Sequence, residues 1–224
     1  MDLAVCLCFI SWKGDFLAQV EIDLSIMPPR DAHDLLSSAI IPRPIAWVCS
    51  ISAEGQVNLA PFSFFSGVTW SPPMLSFSVV NRMDGSRKDT ILNIEQTGNF
   101  TVNMVAEEMG PLMVETSATM PRGVNEAQEA GVSLTDSTLV AAPRVKDAPI
   151  AFECELDRII QVSGGPNGAN LVLGRIRLMH VNQGILESQK CIDWRRARLL
   201  GRLSGNKFCN IREVFDIIPG KEVK

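Results

Sequence analysis

Residues 150–162 read Ile150-Ala151-Phe152-Glu153-Cys154-Glu155-Leu156-Asp157-Arg158-Ile159-Ile160-Gln161-Val162. In an extended chain Ile150, Phe152, Cys154 and Leu156 fall on one side and Glu153, Glu155 and Asp157 on the other, which predicts a strand with one apolar and one wet face. A Gly- and Asn-rich stretch, Ser163 to Asn170, follows, and Leu171 to Val181 then alternates Arg175 and Arg177 with Ile176 and Leu178. Two alternating runs joined by such a loop predict an antiparallel hairpin.

The chain upstream predicts more strands of the same kind. Ile45-Ala46-Trp47-Val48-Cys49-Ser50-Ile51 is β-branched and aromatic, with both alternating sets largely apolar, as in a strand covered on both sides. Ser52 to Gly55 make a turn, and Val57 to Ala60 return as the hairpin partner and lead into an aromatic loop, Pro61 to Ser66. Pro72 and Pro73 mark the start of a strand over Met74 to Val80, and Phe100, Val102 and Met104 alternate with Thr101 and Asn103 in another. Between these, Asp84 to Gly98 predicts a helix: Ser86 with Asp89 three residues on is a capping-box-like pair, Ile91, Leu92 and Ile94 follow, and Gly98 stops the run. Further helices are expected within Glu107 to Ala118, restarted at Pro111, and around Asn125 to Ala130. The fold class is an antiparallel β-barrel with inserted helices, α+β, and not a parallel βαβ sheet.

With 224 residues, 46% of them hydrophobic and 21% charged, one compact domain is expected. A net charge of −4 gives no general attraction to nucleic acid or anionic lipid, so a phosphate-bearing ligand needs a dedicated pocket. The six cysteines form no C-x-x-C pair and only His33 and His180 supply imidazole, which argues against a zinc site and for reduced thiols filling the core of a cytoplasmic protein. No run approaches the roughly 20 apolar residues of a membrane span. Met1 to Ile26 begins Met-Asp and is broken at Ser11 to Gly14, so it is expected to be an extension of the domain at 27–224 rather than a signal peptide.

Three stretches can carry ligand chemistry. Ser86-Arg87-Lys88-Asp89-Thr90 places an ammonium, a guanidinium, a hydroxyl and free backbone N–H groups at a helix start, which suits a phosphate monoester or, equally, an ordinary capped surface helix. Asn58-Leu59-Ala60-Pro61-Phe62-Ser63-Phe64-Phe65 interleaves polar and small residues with aromatics; it forms either a wall for a flat heteroaromatic ligand or a barrel corner with phenylalanines in the core. Arg43-Pro44-Ile45-Ala46-Trp47 sets a guanidinium at the mouth of the first core strand, where Arg43 either stabilises negative charge on a ligand or pairs with a surface carboxylate, and Trp47 contacts ligand or fills core. No nucleophile elbow, P-loop or dinucleotide fingerprint is present, so no catalytic side chain is assigned and no metal site is expected.

These blocks, in order, resemble a known family. Ile41 to Val48, Asn58 to Phe65, Ser71-Pro72-Pro73, Lys88-Asp89-Thr90 with Asn93-Ile94, and the late Leu200 to Phe208 are similar to the signature of the flavin reductase-like, FMN-binding split-barrel family. The resemblance implies a homodimer with FMN at its interface, held by Arg43, Pro44, Trp47, Asn58, Ala60, Ser63, Phe64, Phe65, Lys88, Asp89 and Thr90. It also implies hydride transfer from NADH or NADPH to flavin N5, for which no protein acid or base is needed. A carrier with permanently bound FMN and a redox partner protein is the alternative. One departure is Phe208, which stands where the family often has tyrosine, in a chain without any tyrosine.

Overall fold

The computed structural model describes residues 20–188 and 191–217. Helix α1 (Pro29–Ala39), with proline in its first turn, leads into the short strand β1 (Arg43–Pro44) and then β2 (Ala46–Ile51). There follow β3 (Val57–Phe62), β4 (Phe65–Trp70), β5 (Pro73–Val80), α2 (Asp89–Thr97) and β6 (Asn99–Asn103). The middle of the chain forms α3 (Gly110–Glu115), α4 (Glu126–Glu129), β7 (Leu134–Thr135) and β8 (Arg144–Val145). Strands β9 (Ile150–Gln161) and β10 (Ala169–Val181) form the long hairpin, and β11 (Leu186–Ser188), β12 (Cys191–Ile192), α5 (Trp194–Ala197), β13 (Leu200–Arg202) and β14 (Phe208–Asn210) complete the described chain.

Seven strands make one antiparallel sheet in the order β3-β2-β6-β9-β10-β5-β4. The two edge strands, β3 and β4, are consecutive in the chain and joined by only Ser63 and Phe64. A link of that length reaches roughly 10 Å at most, so the sheet curls until its edges approach each other. No ladder joins β3 to β4 among the described residues. The expected antiparallel barrel with inserted helices is therefore present in open form: a curled sheet, not a closed cylinder.

Strand β2 is covered on both sides, as its composition predicts. Ala46 and Val48 pack with Phe77, Phe100, Val102 and Val172 inside the curl, where Ile91 and Ile94 of α2 close one end. Trp47 and Cys49 face the opposite way, against Leu59, Met109 and Met113. Residue Gly174 of β10 lies so close to the Phe100 ring that no Cβ fits between them.

Four expectations need correction. The aromatic loop Pro61 to Ser66 is mostly strand: Pro61 and Phe62 finish β3 and Phe65 and Ser66 begin β4. Ser86 does not cap α2; its N–H and hydroxyl both bond Asp84 Oδ1, at 2.8 and 2.6 Å, within the turn at Gly85, and the helix starts at Asp89 with Lys88 as its N-cap. The wet face of β9 holds at Glu155 and Asp157, which pair with Arg177 and Arg175, but Glu153 is fully buried. Segment 138–139 folds over it and donates backbone N–H bonds to its carboxylate. The thiols of Cys49 and Cys154 fill core as expected, whereas Cys191 is exposed. Cys6 and Cys8, with most of the 1–26 extension, lie outside the described residues.

Candidate functional site

Helix α2 starts beside the end of β3, and the two elements frame a first cavity of about 120 Å³ lined by Asn58, Ala60, Arg82, Lys88, Thr90 and Glu126 among others. The N–H groups of Ile91 and Leu92 already turn back to Lys88 O. Those of Asp89 and Thr90 have no protein acceptor among the described residues, as the geometry of a helix start requires. The Lys88 ammonium lies 5.8 Å from the centre of the Phe62 ring and forms no ion pair among the described residues. Burial, and then the charge of Arg82, push its pKa below the ordinary lysine value. An anion in this cavity would relieve both effects.

The carboxylates near Lys88 are already engaged. Asp89 accepts from Arg82 at 3.0 Å, although its Oδ1 is buried without a hydrogen bond. Glu126 accepts from Asn58 Nδ2 at 2.6 Å and from Leu59 N at 3.1 Å. Asn58 Oδ1 in turn accepts the Thr90 hydroxyl at 2.7 Å. The Thr90 hydroxyl proton is thus used within the protein, and what Thr90 offers a ligand as a donor is its backbone N–H. Burial is the main cause that raises the Glu126 pKa, and Asp89 adds to it.

A second cavity, of about 360 Å³, adjoins the first through Pro61 and Ser117. It lies among α1, the end of β3 and the β13–β14 hairpin, and Arg43, Ser63, Arg202 and Phe208 line it. Arg43 is only 5% exposed. Its guanidinium donates to the carbonyls of Ser37, Ile40 (2.7 Å) and Leu203 (2.9 Å) and to Ser63 Oγ (3.4 Å), tying α1, β3 and the hairpin together. Four of its five N–H donors are used in this way. The sequence left open whether Arg43 meets a surface carboxylate, and among the described residues it meets none.

The eleven residues singled out in the sequence are thus distributed unevenly. Asn58, Ala60, Lys88, Asp89 and Thr90 line the first cavity, and Arg43 and Ser63 the second. Trp47 is fully buried and donates its indole N–H to Thr116 Oγ1 at 2.9 Å, so it bears on the first cavity only through Thr116. Pro44, Phe64 and Phe65 line neither cavity. Arg82, Thr116, Ser117 and Glu126 were not foreseen; their stretches carry ordinary turn and helix signals, and only the fold brings them to β3. No group of His, Cys, Asp and Glu residues that could hold a metal occurs among the described residues. No described helix is long and apolar enough to cross a membrane.

A sequence profile of the family called flavin reductase like domain matches residues 36–198. The chain belongs to that family. The profile spans both cavities except for the residues contributed by the start of α1 and by the β13–β14 hairpin. The family member is 39% identical over 176 residues to an uncharacterized protein of Aquifex aeolicus strain VF5, covering 79% of this chain and 88% of that one. Among solved structures it is similar to nitrilotriacetate monooxygenase component B from Bacillus cereus, with a TM-score of 0.85, 33% identity, and 89% and 99% of the two chains covered. A Shewanella frigidimarina NCIMB 400 protein with a split barrel domain, at a TM-score of 0.77 and 17% identity over 90% and 100% of the chains, has the same fold.

Proposed function

We propose that this flavin reductase-like protein binds FMN across the two joined cavities and uses it to pass reducing equivalents from NADH or NADPH. The observation that carries this reading is the unpaired, partly buried Lys88 ammonium at the first turn of α2, next to two free backbone N–H groups and Arg82. A terminal phosphate fits those donors, and riboflavin, which lacks one, would leave them unmet. Asn58, Ala60 and Ser63 flank the path from that phosphate position to the second cavity, and the ring edge would meet Ser63 with the Arg43 charge behind it. Bound FMN would supply the acceptor for a nicotinamide hydride. Glu126, through Asn58 and Thr90, holds the first cavity in shape.

The same reading includes a homodimer. Strand β4 is a sheet edge whose Val68 and Trp70 are 52% and 91% exposed, and a second copy would cover that surface. Light scattering on the FMN-loaded protein should give twice the chain mass, and a monomer with FMN bound would remove the dimer from the account.

The test of the activity is an absorption spectrum of the reconstituted protein, followed by anaerobic titration with NADH and NADPH. Bleaching of the flavin band by either nicotinamide at a catalytically useful rate supports the reductase. Stable FMN binding with no response to either would favour the carrier that takes electrons from a protein donor.

A further inference from the structure

Arg43 and Arg202 face each other as partners in the β1–β13 ladder. Like charges directly opposite on neighbouring strands are destabilising, yet both line the second cavity and neither forms an ion pair among the described residues. This sets them apart from Arg82, Arg87, Arg158, Arg175, Arg177, Arg196, Arg198 and Arg212, each of which has a carboxylate partner. Burial lowers the pKa of both guanidinium groups, and Arg202 lowers that of Arg43 further. The one carboxylate in the cavity wall, Asp34, is 70% exposed and bonded to the neighbouring His33 ring at 3.2 Å. An excess of positive charge is therefore built into this cavity.

The two arginines differ in what they can still offer. Arg43 has one N–H left after its bonds to Ser37, Ile40, Leu203 and Ser63. Among the described residues Arg202 bonds the Gly205 carbonyl alone, and its guanidinium carbon sits over the Phe208 ring, 4.5 Å from the centre. The contact with the Phe208 face holds the group by a cation–π interaction and leaves four of its five N–H donors unspent among the described residues, as a planar, bidentate acceptor requires. The rest of the wall is apolar, with Ile45, Phe62, Met113 and Val114. A cavity of about 360 Å³ with a cationic end and an apolar side suits a small ring bearing one anionic group.

We propose that Arg202, held over the Phe208 ring and backed by the charge of Arg43, is an anion subsite that receives the carboxylate of a small aromatic acid. As the subsite of a second substrate it rests on the FMN reading, with the flavin ring on the Ser63 side of the cavity and the acid on the Arg202 side, and as a binding site it stands without it.

The experiment is calorimetric titration of the protein, flavin-free and FMN-loaded, with benzoate, with uncharged benzamide and with inorganic phosphate. Benzoate is expected to bind both forms about tenfold or more tightly than benzamide or phosphate. In Arg202→Gln its affinity should fall about tenfold, with Arg202→Lys recovering only part of that because the fork is lost. Equal affinity for benzoate and benzamide in the unaltered protein, which needs no variant to fold, would overturn the subsite. Preference for phosphate over benzoate would overturn the carboxylate assignment. Binding to the flavin-free form alone would show that the flavin ring occupies these arginines, and would overturn the second-substrate role while leaving the FMN reading intact. A protein that binds benzoate through Arg202 but takes up no FMN would retain the subsite and remove the FMN reading.

Discussion

The Thr90 hydroxyl donates to Asn58 Oδ1 at 2.7 Å, so the start of α2 is fastened to the start of β3 by one side-chain bond, at the strand's second residue. Asn58 passes the constraint on, because its amide nitrogen donates to Glu126 Oε1 at 2.6 Å on α4. Both Thr90 and Asn58 are buried, so neither bond competes with water. Replacing Asn58 with Ala leaves a buried hydroxyl and a buried carboxylate oxygen without their partner, each at a cost of about 1–3 kcal/mol. Urea denaturation of the flavin-free protein should show a combined loss of about 2–6 kcal/mol, together with weaker FMN binding because the two elements that frame the first cavity are no longer tied. A stability change below about 0.5 kcal/mol would mean that the chain from Thr90 to Glu126 is not fastened as described.

Glu153 gives a prediction with a pH signature. Burial acts to raise its pKa, but bonds from Thr138 N, His180 Nε2 and Leu139 N together hold it below the ordinary carboxylate value. A carboxyl depressed in the folded state stabilises the protein above its unfolded pKa of about 4.3, and that contribution disappears as pH falls through the lower folded value. Glu153→Gln should therefore be less stable than the unaltered protein at neutral pH, and the gap should narrow below about pH 4. Denaturation midpoints measured between pH 7 and pH 3 check this, and a gap that does not change with pH would contradict it.

Gly174 is a packing requirement inside the curl. Its missing side chain makes room for Phe100, whose ring also meets Phe77 edge-on at 5.5 Å. Gly174→Ala drives a methyl group into that ring, and overpacking of this kind costs about 1–3 kcal/mol. A lowered thermal midpoint with FMN stoichiometry unchanged is the expected outcome. A variant as stable as the parent would show that Phe100 can move aside.

The buried thiols predict a labelling pattern. Cys49 and Cys154 are both buried, and burial pushes their pKa values up, so neither presents a thiolate at neutral pH. Peptide mapping after brief native alkylation should find Cys191 modified and these two untouched until denaturant is added. Early modification of Cys49 would place it outside the core.

Much of the fold was legible because alternation and turn chemistry are local. Ile45 to Ile51, with both alternating sets largely apolar, reads directly as a strand buried on both faces, and Asn125 to Ala130 reads as a short helix, which α4 occupies over Glu126–Glu129. The start of α2 was placed too early, since Ser86 can equally bond Asp84 in a turn, and the choice depends on Arg82, whose N–H bonds Ser86 O at 2.8 Å. Burial of Glu153 was not legible, because it depends on a loop 14 to 15 residues away in sequence. The site was half legible: Lys88, Thr90 and Asn58 lie in matching local motifs, whereas Arg202 becomes significant only when the β13–β14 hairpin pairs with β1 and sets it opposite Arg43.

The central claim is that the α2 start holds the phosphate of FMN, and Lys88 is where it is most exposed to test. Parallel titrations of FMN and riboflavin, followed by quenching of flavin fluorescence, should be run on the unaltered protein and on Lys88→Ala. The unaltered protein should prefer FMN, and loss of the ammonium should weaken FMN by about tenfold or more, in line with about 1.5–3 kcal/mol for a charge-assisted contact, while riboflavin changes little. Equal losses for the two flavins, or no preference for FMN in the unaltered protein, would contradict the account.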